Sequence, residues 1–133
     1  MNALTKELLE KCAHESHAGL LTFPQVLTRL VGAGVESYFA DYRDQSTTYY
    51  LSSNEAIRIP MKMPYIEIPN EFNREGIVAA IHGAQSDQVR YPQFLELTML
   101  AGCIGYVVWI TGKRVSYFGR QGEVHIEHFP GEF

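Results

Sequence analysis

The chain has 133 residues, of which 46% are hydrophobic and 20% charged, and its formal net charge is −4. These proportions are typical of one globular domain that buries a core of its own. The acidic balance, with no clustered stripe of Lys and Arg, argues against nucleic acid as a partner, because phosphates are neutralised by clustered cations.

The cysteine content and the apolar segments of the chain indicate where in the cell the protein is located. Cys12 and Cys103 are too few for a framework of disulfides, and the N-terminal segment lacks the apolar stretch of a signal peptide. The longest apolar run, 97–110, contains two glycines and is too short to cross a bilayer. We therefore expect a cytoplasmic protein without a membrane segment.

Two helices are predicted at the start of the chain. Thr5 is a suitable N-cap, and aliphatic residues flank it at the spacing of a hydrophobic staple, which predicts a first helix over 5–17. A second helix is predicted from Phe23-Pro24, because proline is admissible in a first turn. Its apolar residues recur at helical spacing as far as Gly34, which favours a helix end.

Three strands are predicted after these helices. The segments 35–42 and 47–52 are rich in aromatic and β-branched residues and flank a short turn, as in a hairpin. A third strand is predicted over 56–60. The connector 61–71 combines prolines with apolar residues, which indicates a packed rather than a flexible segment.

The same series of elements recurs 68 residues later. FPQVLTRLVGAGVESY at 23–38 aligns without a gap with YPQFLELTMLAGCIGY at 91–106. At this shift, residues 4–55 contain 10 identities in 52 pairs, where composition alone gives roughly three or four. The second series predicts a helix over 73–85, a helix from residue 91, and three further strands.

These elements predict a single α+β domain spanning 1–133. It consists of two pseudo-symmetric helix–helix–strand–strand–strand repeats, about 4–60 and 72–130, joined by the packed connector. We expect a mainly antiparallel sheet with the helices packed against it.

The strand predicted over 103–110 is apolar on both faces, as is typical of a strand covered on both sides. We expect helices to cover one face. The other face is expected to need the sister repeat, a second subunit or a ligand; it bears Ile104, Tyr106, Val108 and Ile110.

A long motif in the second repeat carries a family resemblance. Its residues are Ala101-Gly102-Cys103, Tyr106, Tyr117, Gly119-Arg120, Gly122-Glu123, His125, Glu127 and Phe129-Pro130. In these residues the chain resembles an uncharacterised bacterial domain-of-unknown-function family, whose members are sometimes labelled phage envelope proteins. The resemblance covers most of the chain. It implies the domain and, through that label, an association with phage or prophage, but no activity.

Polar residues gather at the end of the second repeat. If 123–128 is a strand, Glu123, His125 and Glu127 share one face, with Arg120 nearby. A carboxylate beside an imidazole raises its basicity, which suits a general base, and an arginine can hold a carboxylate or phosphate group. The alternative is a solvent-facing edge strand whose charges prevent aggregation.

Histidines and cysteines offer weaker candidates. His14 and His82 are equivalent in the two repeats, and they either share a site or each lie at a helix C-terminus that favours a cation. No spacing matches a structural zinc site, so we expect no metal and no cofactor. Cys103 is either a nucleophile near His125 or a small core residue.

Two functions of different classes are consistent with these residues. The favoured one is a small binding or interaction protein that uses an aromatic sheet face or the groove between the repeats. We expect its partner to be a second copy in a homodimer, a small molecule or a protein. The alternative is a small enzyme with a polar site around Arg120, His125 and Glu127. No catalytic residue is assigned, and the expected ligand-binding residues are Arg120, Glu123, His125, Glu127, Tyr106, Tyr117 and Cys103.

Overall fold

The computed structural model describes residues 3–130 and contains four helices and six strands there. The helices are α1 (Ala3–His17), α2 (Phe23–Gly32), α3 (Arg74–Gln85) and α4 (Tyr91–Leu100). The strands are β1 (Val35–Asp41), β2 (Ser46–Leu51), β3 (Ala56–Pro60), β4 (Cys103–Trp109), β5 (Arg114–Gly119) and β6 (Val124–His128). The predicted α+β class is confirmed.

The six strands form one sheet in the order β3-β2-β1-β4-β5-β6, and every neighbouring pair is antiparallel. The predicted antiparallel sheet is therefore confirmed. β1 and β4 pair at its centre, where Phe39 lies opposite Val107. Each hairpin continues outward from this central pair, so β3 and β6 are the two edge strands.

The two central strands share an irregularity. The β1–β2 register shifts between Val35 and Ser37, and the β4–β5 register shifts between Cys103 and Gly105. A bulge of this kind bends a strand and increases its twist. Both strands therefore bend just after the turn that links them to the preceding helix.

Side-chain caps explain where two of the helices begin. Thr22 and Gln25 form a reciprocal capping box at α2, and Asn73 accepts a hydrogen bond from the backbone N–H of Gly76 at the start of α3. The expectation that Thr5 caps the first helix is wrong, because α1 already includes Ala3. Ala3 and Leu4 have high helix propensity, so the helix extends through them.

The helices cover the face of the sheet that carries Tyr38, Tyr49, Tyr106 and Tyr117. Tyr106 and Val108 of β4 are buried, and the hydroxyl of Tyr106 lies 2.9 Å from that of Tyr91 in α4. The expectation that this face of β4 lies away from the helices is thus wrong. Both faces of β4 are apolar, so hydropathy does not distinguish them. The uncovered face instead bears Trp109 and Ile126, which are 44% and 46% exposed.

The core lies between the helices and the covered face, and the connector packs at both of its ends. Met61 and Ile68 are buried, whereas Tyr65 between them is fully exposed. A Cβ added to Gly102 would lie 2.0 Å from the carbonyl oxygen of Glu71, so the connector also contacts the turn between α4 and β4. In the part of the chain that the structure describes, no helix has the length and apolar character of a membrane span.

Candidate functional site

A cavity of about 130 Å³ lies between the helices and the covered face of the sheet. All four helices or their adjoining loops contribute to its wall. We call it the tyrosine cavity, because its lining includes Tyr38, Tyr49, Tyr91, Tyr106 and Tyr117.

Four tyrosines from four adjacent strands form the floor of this cavity. The ring centroids are 5.6 Å apart for Tyr49 and Tyr38, 6.4 Å for Tyr38 and Tyr106, and 5.6 Å for Tyr106 and Tyr117. These separations are those of interacting aromatic pairs. The strand registers explain the row, because Tyr49 lies opposite Tyr38 and Tyr117 lies opposite Tyr106.

The hydroxyls of these tyrosines differ in their partners. Tyr91 donates to Sδ of Met61 at 3.7 Å and is hydrogen bonded to Tyr106 at 2.9 Å. Within residues 3–130, the hydroxyls of Tyr38, Tyr49 and Tyr117 have no hydrogen-bond partner, yet no fully enclosed side-chain oxygen there is left unpaired. These three hydroxyls therefore retain contact with the open space of the cavity.

Burial keeps the cavity tyrosines protonated. It raises the pKa of Tyr91 to about 12 and raises the pKa values of Tyr38, Tyr49, Tyr106 and Tyr117 further. The cause is the loss of hydration that a phenolate would suffer. At neutral pH each side chain is thus an uncharged phenol that can both donate and accept a hydrogen bond.

A polar group lies beside the cavity on edge strand β6. Glu127 lines the cavity, and its Oε1 is 3.0 Å from Nε2 of His125, whose Nδ1 is 3.0 Å from Nη1 of Arg74. A guanidinium only donates, so Nδ1 accepts from Arg74 and Nε2–H donates to Glu127. The side chains of His125 and Glu127 are 14% and 26% exposed. This pair of contacts fixes both the tautomer and the orientation of the imidazole.

The other residues of the predicted polar cluster make different contacts. Nε of Arg120 lies 3.1 Å from the carbonyl oxygen of Ile68 in the connector, and Glu123 accepts a hydrogen bond within the β5–β6 turn. Neither side chain lines the tyrosine cavity. The arginine that contacts His125 is Arg74, and the predicted ligand-binding role of the cluster stays a prediction.

Arg74 and Tyr91 are functional candidates that were not singled out from the sequence. Arg74 precedes His125 by 51 residues, and no local pattern connects them. The available signal for Tyr91 is its alignment with Phe23 at the shift of 68 residues, because the aligned pair differs by one hydroxyl.

Cys103 is enclosed rather than presented to the cavity. It is 0% exposed, and its thiol donates to the carbonyl oxygen of Gly105 at 3.2 Å. Burial raises the pKa of the thiol to about 11. A thiol with a raised pKa is a weak nucleophile at neutral pH, and these contacts are those of a small core residue.

The paired histidines lie at the ends of helices. His14 and His82 are in the last turns of α1 and α3, where a cation interacts favourably with the partial negative charge of the C-terminus. Among residues 3–130, no group of three or more His, Cys, Asp or Glu side chains could hold a metal ion.

Comparison with known proteins places this chain in a family. "Uncharacterized protein Rv2012" of Mycobacterium tuberculosis and "Uncharacterized protein Mb2035" of Mycobacterium bovis are each 28% identical to it over 71 residues. That match covers 53% of this chain and 43% of each relative, so the chain spans less than half the length of these relatives. The family model described as "Protein of unknown function (DUF1398)" matches residues 11–128. The chain therefore belongs to this DUF1398 family of proteins of unknown function.

Proposed function

We propose that this protein binds a small, mostly apolar molecule in the tyrosine cavity. The observation that carries the proposal is the set of three hydroxyls, on Tyr38, Tyr49 and Tyr117, that face a largely aromatic cavity without a partner among residues 3–130. A few placed polar groups within apolar walls are characteristic of small-molecule sites. A ligand that fills the cavity removes these hydroxyls from water, so it must bond them, because an unpaired buried polar group costs about 1–3 kcal/mol.

The dimensions of the cavity suit a ligand of about one aromatic ring. An apolar cavity of roughly 150 Å³ is large enough to bind benzene, and the tyrosine cavity measures about 130 Å³. Its lining also includes Asp87 and Arg90, whose side chains are 56% and 40% exposed. The cavity therefore reaches the surface, and a ligand can enter beside these residues.

We further propose that the two halves of the chain are pseudo-symmetric repeats and that the cavity is the groove between them. The strand registers support this, since Ser46 faces Pro60 and Arg114 faces His128, two pairs related by the shift of 68 residues. The central pair of Phe39 and Val107 joins equivalent positions at the same shift. A two-fold axis through that pair would exchange the tyrosines of the two halves.

Binding is tested with 2-phenylethanol as the probe, using isothermal titration calorimetry and protein NMR. We expect saturable binding with a Kd on the order of 1 mM or tighter, which is accessible to a ligand of this size. Ala84→Phe, which places a ring in the cavity wall, should abolish binding. Ala56→Phe makes the same change at an exposed position of β3 and should leave binding intact. Absence of binding to the parent protein, or equal binding to both variants, would refute the proposal.

A second copy of the chain is our proposed partner for the uncovered sheet face. Trp109, Ile126 and Tyr50 on this face are 44%, 46% and 42% exposed. Large exposed apolar side chains on one face of a sheet favour an interaction site there. Light scattering after size exclusion should give a dimer mass, and Trp109→Glu should convert it to a monomer. A monomeric parent protein at high micromolar concentration would refute this part of the proposal.

An enzyme with a site around Arg120, His125 and Glu127 remains the alternative. The hydrogen bond between His125 and Glu127 beside the cavity supports it. The contact of Arg120 with the connector does not, because its guanidinium bonds the carbonyl oxygen of Ile68 rather than this pair. Binding is preferred because it requires only the cavity and its hydroxyls. A cytoplasmic location and an association with phage stay predictions.

A further inference from the structure

We propose that the ligand of the tyrosine cavity is an organic amine, with its ammonium group at Glu127 and its apolar body over the tyrosine floor. This inference rests on the proposed binding function and specifies the chemical class of the ligand. It follows from the charges that face the cavity, the free oxygen of Glu127, the surrounding rings and the difference between the two ends of the floor.

Of the two carboxylates that line the cavity, Glu127 forms no ion pair with an Arg or Lys among residues 3–130, and the nearby Arg74 contacts His125 instead. Asp87 and Arg90 lie at the surface and pair with each other at 3.1 Å, so their charges offset. Burial and the neighbouring His14 lower the pKa of His17, which is therefore neutral at pH 7. His128 also lines the cavity and is exposed.

Glu127 has a carboxylate oxygen available to a ligand. Its Oε1 accepts from His125, whereas Oε2 has no hydrogen-bond partner among residues 3–130 and is not enclosed. Glu127 lies opposite Val115, which lies opposite Val108, so all three belong to the covered face of the sheet. On the same face, Tyr117 lies opposite His125, two residues from Glu127 along β6.

Aromatic rings enclose the adjoining part of the cavity. The ring of Phe94 lies 6.1 Å from that of Tyr106 and 6.2 Å from that of Tyr117, and these two tyrosines are 5.6 Å apart. Ring faces attract an ammonium group that approaches within about 6 Å. A carboxylate combined with such rings favours a cation over a neutral or anionic group.

The two ends of the floor differ in polarity. At the shift of 68 residues, Ile57 and Ile59 occupy the positions of His125 and Glu127, and both isoleucines are buried. The first half therefore has apolar side chains where the second half has the polar pair. Glu127 lines the cavity and neither isoleucine does, so a charged group of the ligand has a carboxylate partner only on the β6 side of the described lining.

The experiment compares 2-phenylethylamine with 2-phenylethanol and 3-phenylpropanoate by calorimetry at pH 7 and low salt. The amine and the alcohol share the same apolar body, so their difference reports the ammonium group. We expect the amine to bind about tenfold more tightly than the alcohol, and the propanoate to bind more weakly than either.

The variant Glu127→Gln tests whether Glu127 is the residue that causes the preference for the amine. The glutamine oxygen can still accept from Nε2–H of His125, so the preference for amine over alcohol should fall below about twofold while the affinity for the alcohol is kept. Glu123→Gln is the matched control, because Glu123 lies in the β5–β6 turn outside the cavity. This control should retain the full preference.

The outcomes separate the two proposals. Equal affinity of the parent protein for amine and alcohol, or a preference that survives Glu127→Gln, overturns the amine inference and leaves small-molecule binding intact. A parallel loss of amine and alcohol binding in Glu127→Gln also overturns it, because the residue would then act by supporting the cavity. Failure of all three probes to bind the parent protein overturns the binding function itself.

Discussion

Thr98 joins α4 to the residue that follows β1 through a buried hydrogen bond. Its Oγ1 lies 2.8 Å from the hydroxyl of Tyr42 and donates to the carbonyl oxygen of Phe94 at 2.8 Å. A threonine hydroxyl has one proton, so Tyr42 is the donor to Thr98. Thr98→Val keeps the shape and removes the oxygen that accepts from the Tyr42 hydroxyl, which then has only the weakly accepting sulfur of Cys103 beside it among the described residues. We expect a loss of about 1–3 kcal/mol in the free energy of unfolding, measured with urea.

Thr28→Val is the control for this change. Thr28 also donates to a carbonyl oxygen one turn earlier, that of Pro24, but it is exposed, so water replaces the lost bond. Its cost should stay within about 0.5 kcal/mol. Equal losses in the two variants would mean that the hydrogen bond of Tyr42 contributes nothing.

His17 gives the protein a pH dependence in the mildly acidic range. Its pKa is lowered by burial and by the nearby His14, and its ring packs edge-on against Tyr91 at 5.0 Å. Well above the ordinary imidazole pKa of about 6.5, the imidazole is neutral in both states and contributes no pH dependence. Below that pH the unfolded chain takes up the proton first, so stability falls as the pH falls towards the lower folded pKa.

His17→Gln should reduce this loss. We expect the difference in the free energy of unfolding between pH 7.5 and pH 5.5 to be smaller in the variant than in the parent protein. Comparing the two differences removes the carboxylates, which titrate in both proteins. An unchanged difference would show that His17 does not respond to burial.

At the scale of elements, two glycines close the second helix of each half in the same conformation. Gly34 and Gly102 have φ values of +87° and +90°. A Cβ at Gly34 would meet nothing within 4 Å, whereas one at Gly102 would lie 2.0 Å from the carbonyl oxygen of Glu71. Alanine would therefore pay the cost of a left-handed backbone at both positions. Only at Gly102 would it also collide with the connector.

The difference in stability loss between alanine variants of these two glycines reports how tightly the connector packs against the α4–β4 turn. Gly34→Ala should cost about 1–2 kcal/mol for its left-handed backbone. Gly102→Ala should cost about 1–3 kcal/mol beyond that, because the connector must move away from the α4–β4 turn. Urea unfolding of both variants gives the difference. Equal costs would show that the connector shifts without resistance.

Local sequence patterns were sufficient to predict the order and type of the elements. Contacts between residues far apart in the chain could not be predicted from such patterns. The start of the second helix at Phe23-Pro24 and the aromatic strands are coded within a few residues, which is why these elements follow from the sequence, whereas the cap at Thr22 was not predicted. The contact of Arg74 with His125 joins a helix start to an edge strand and has no local signature. The orientation of β4 was also inaccessible, because a strand apolar on both faces has no preferred side. The cavity depends on both of these features.

At the scale of the whole molecule, the covered face of the sheet concentrates phenols in one volume. Six of the eight tyrosines have pKa values raised chiefly by burial. In contrast, Tyr65 in the connector is fully exposed. Ionisation of the enclosed phenols is therefore coupled to the integrity of the layer formed by helices and sheet.

This coupling predicts cooperative unfolding at alkaline pH. A folded pKa above the unfolded value of about 10 means that the stabilisation is fully present below pH 10 and is lost as the pH rises through the folded pKa. For Tyr91 that window runs from about pH 10 to about 12. Absorbance of phenolate at 295 nm should therefore rise in step with the loss of the far-ultraviolet circular dichroism signal, because the enclosed tyrosines ionise only when the chain unfolds.

Tyr91→Phe removes one of these groups together with its hydrogen bond to Tyr106. The number of phenolates released in the cooperative step should fall by one. Release of all the phenolates while the circular dichroism signal is intact would show that the cavity admits hydroxide freely and that its phenols are not desolvated.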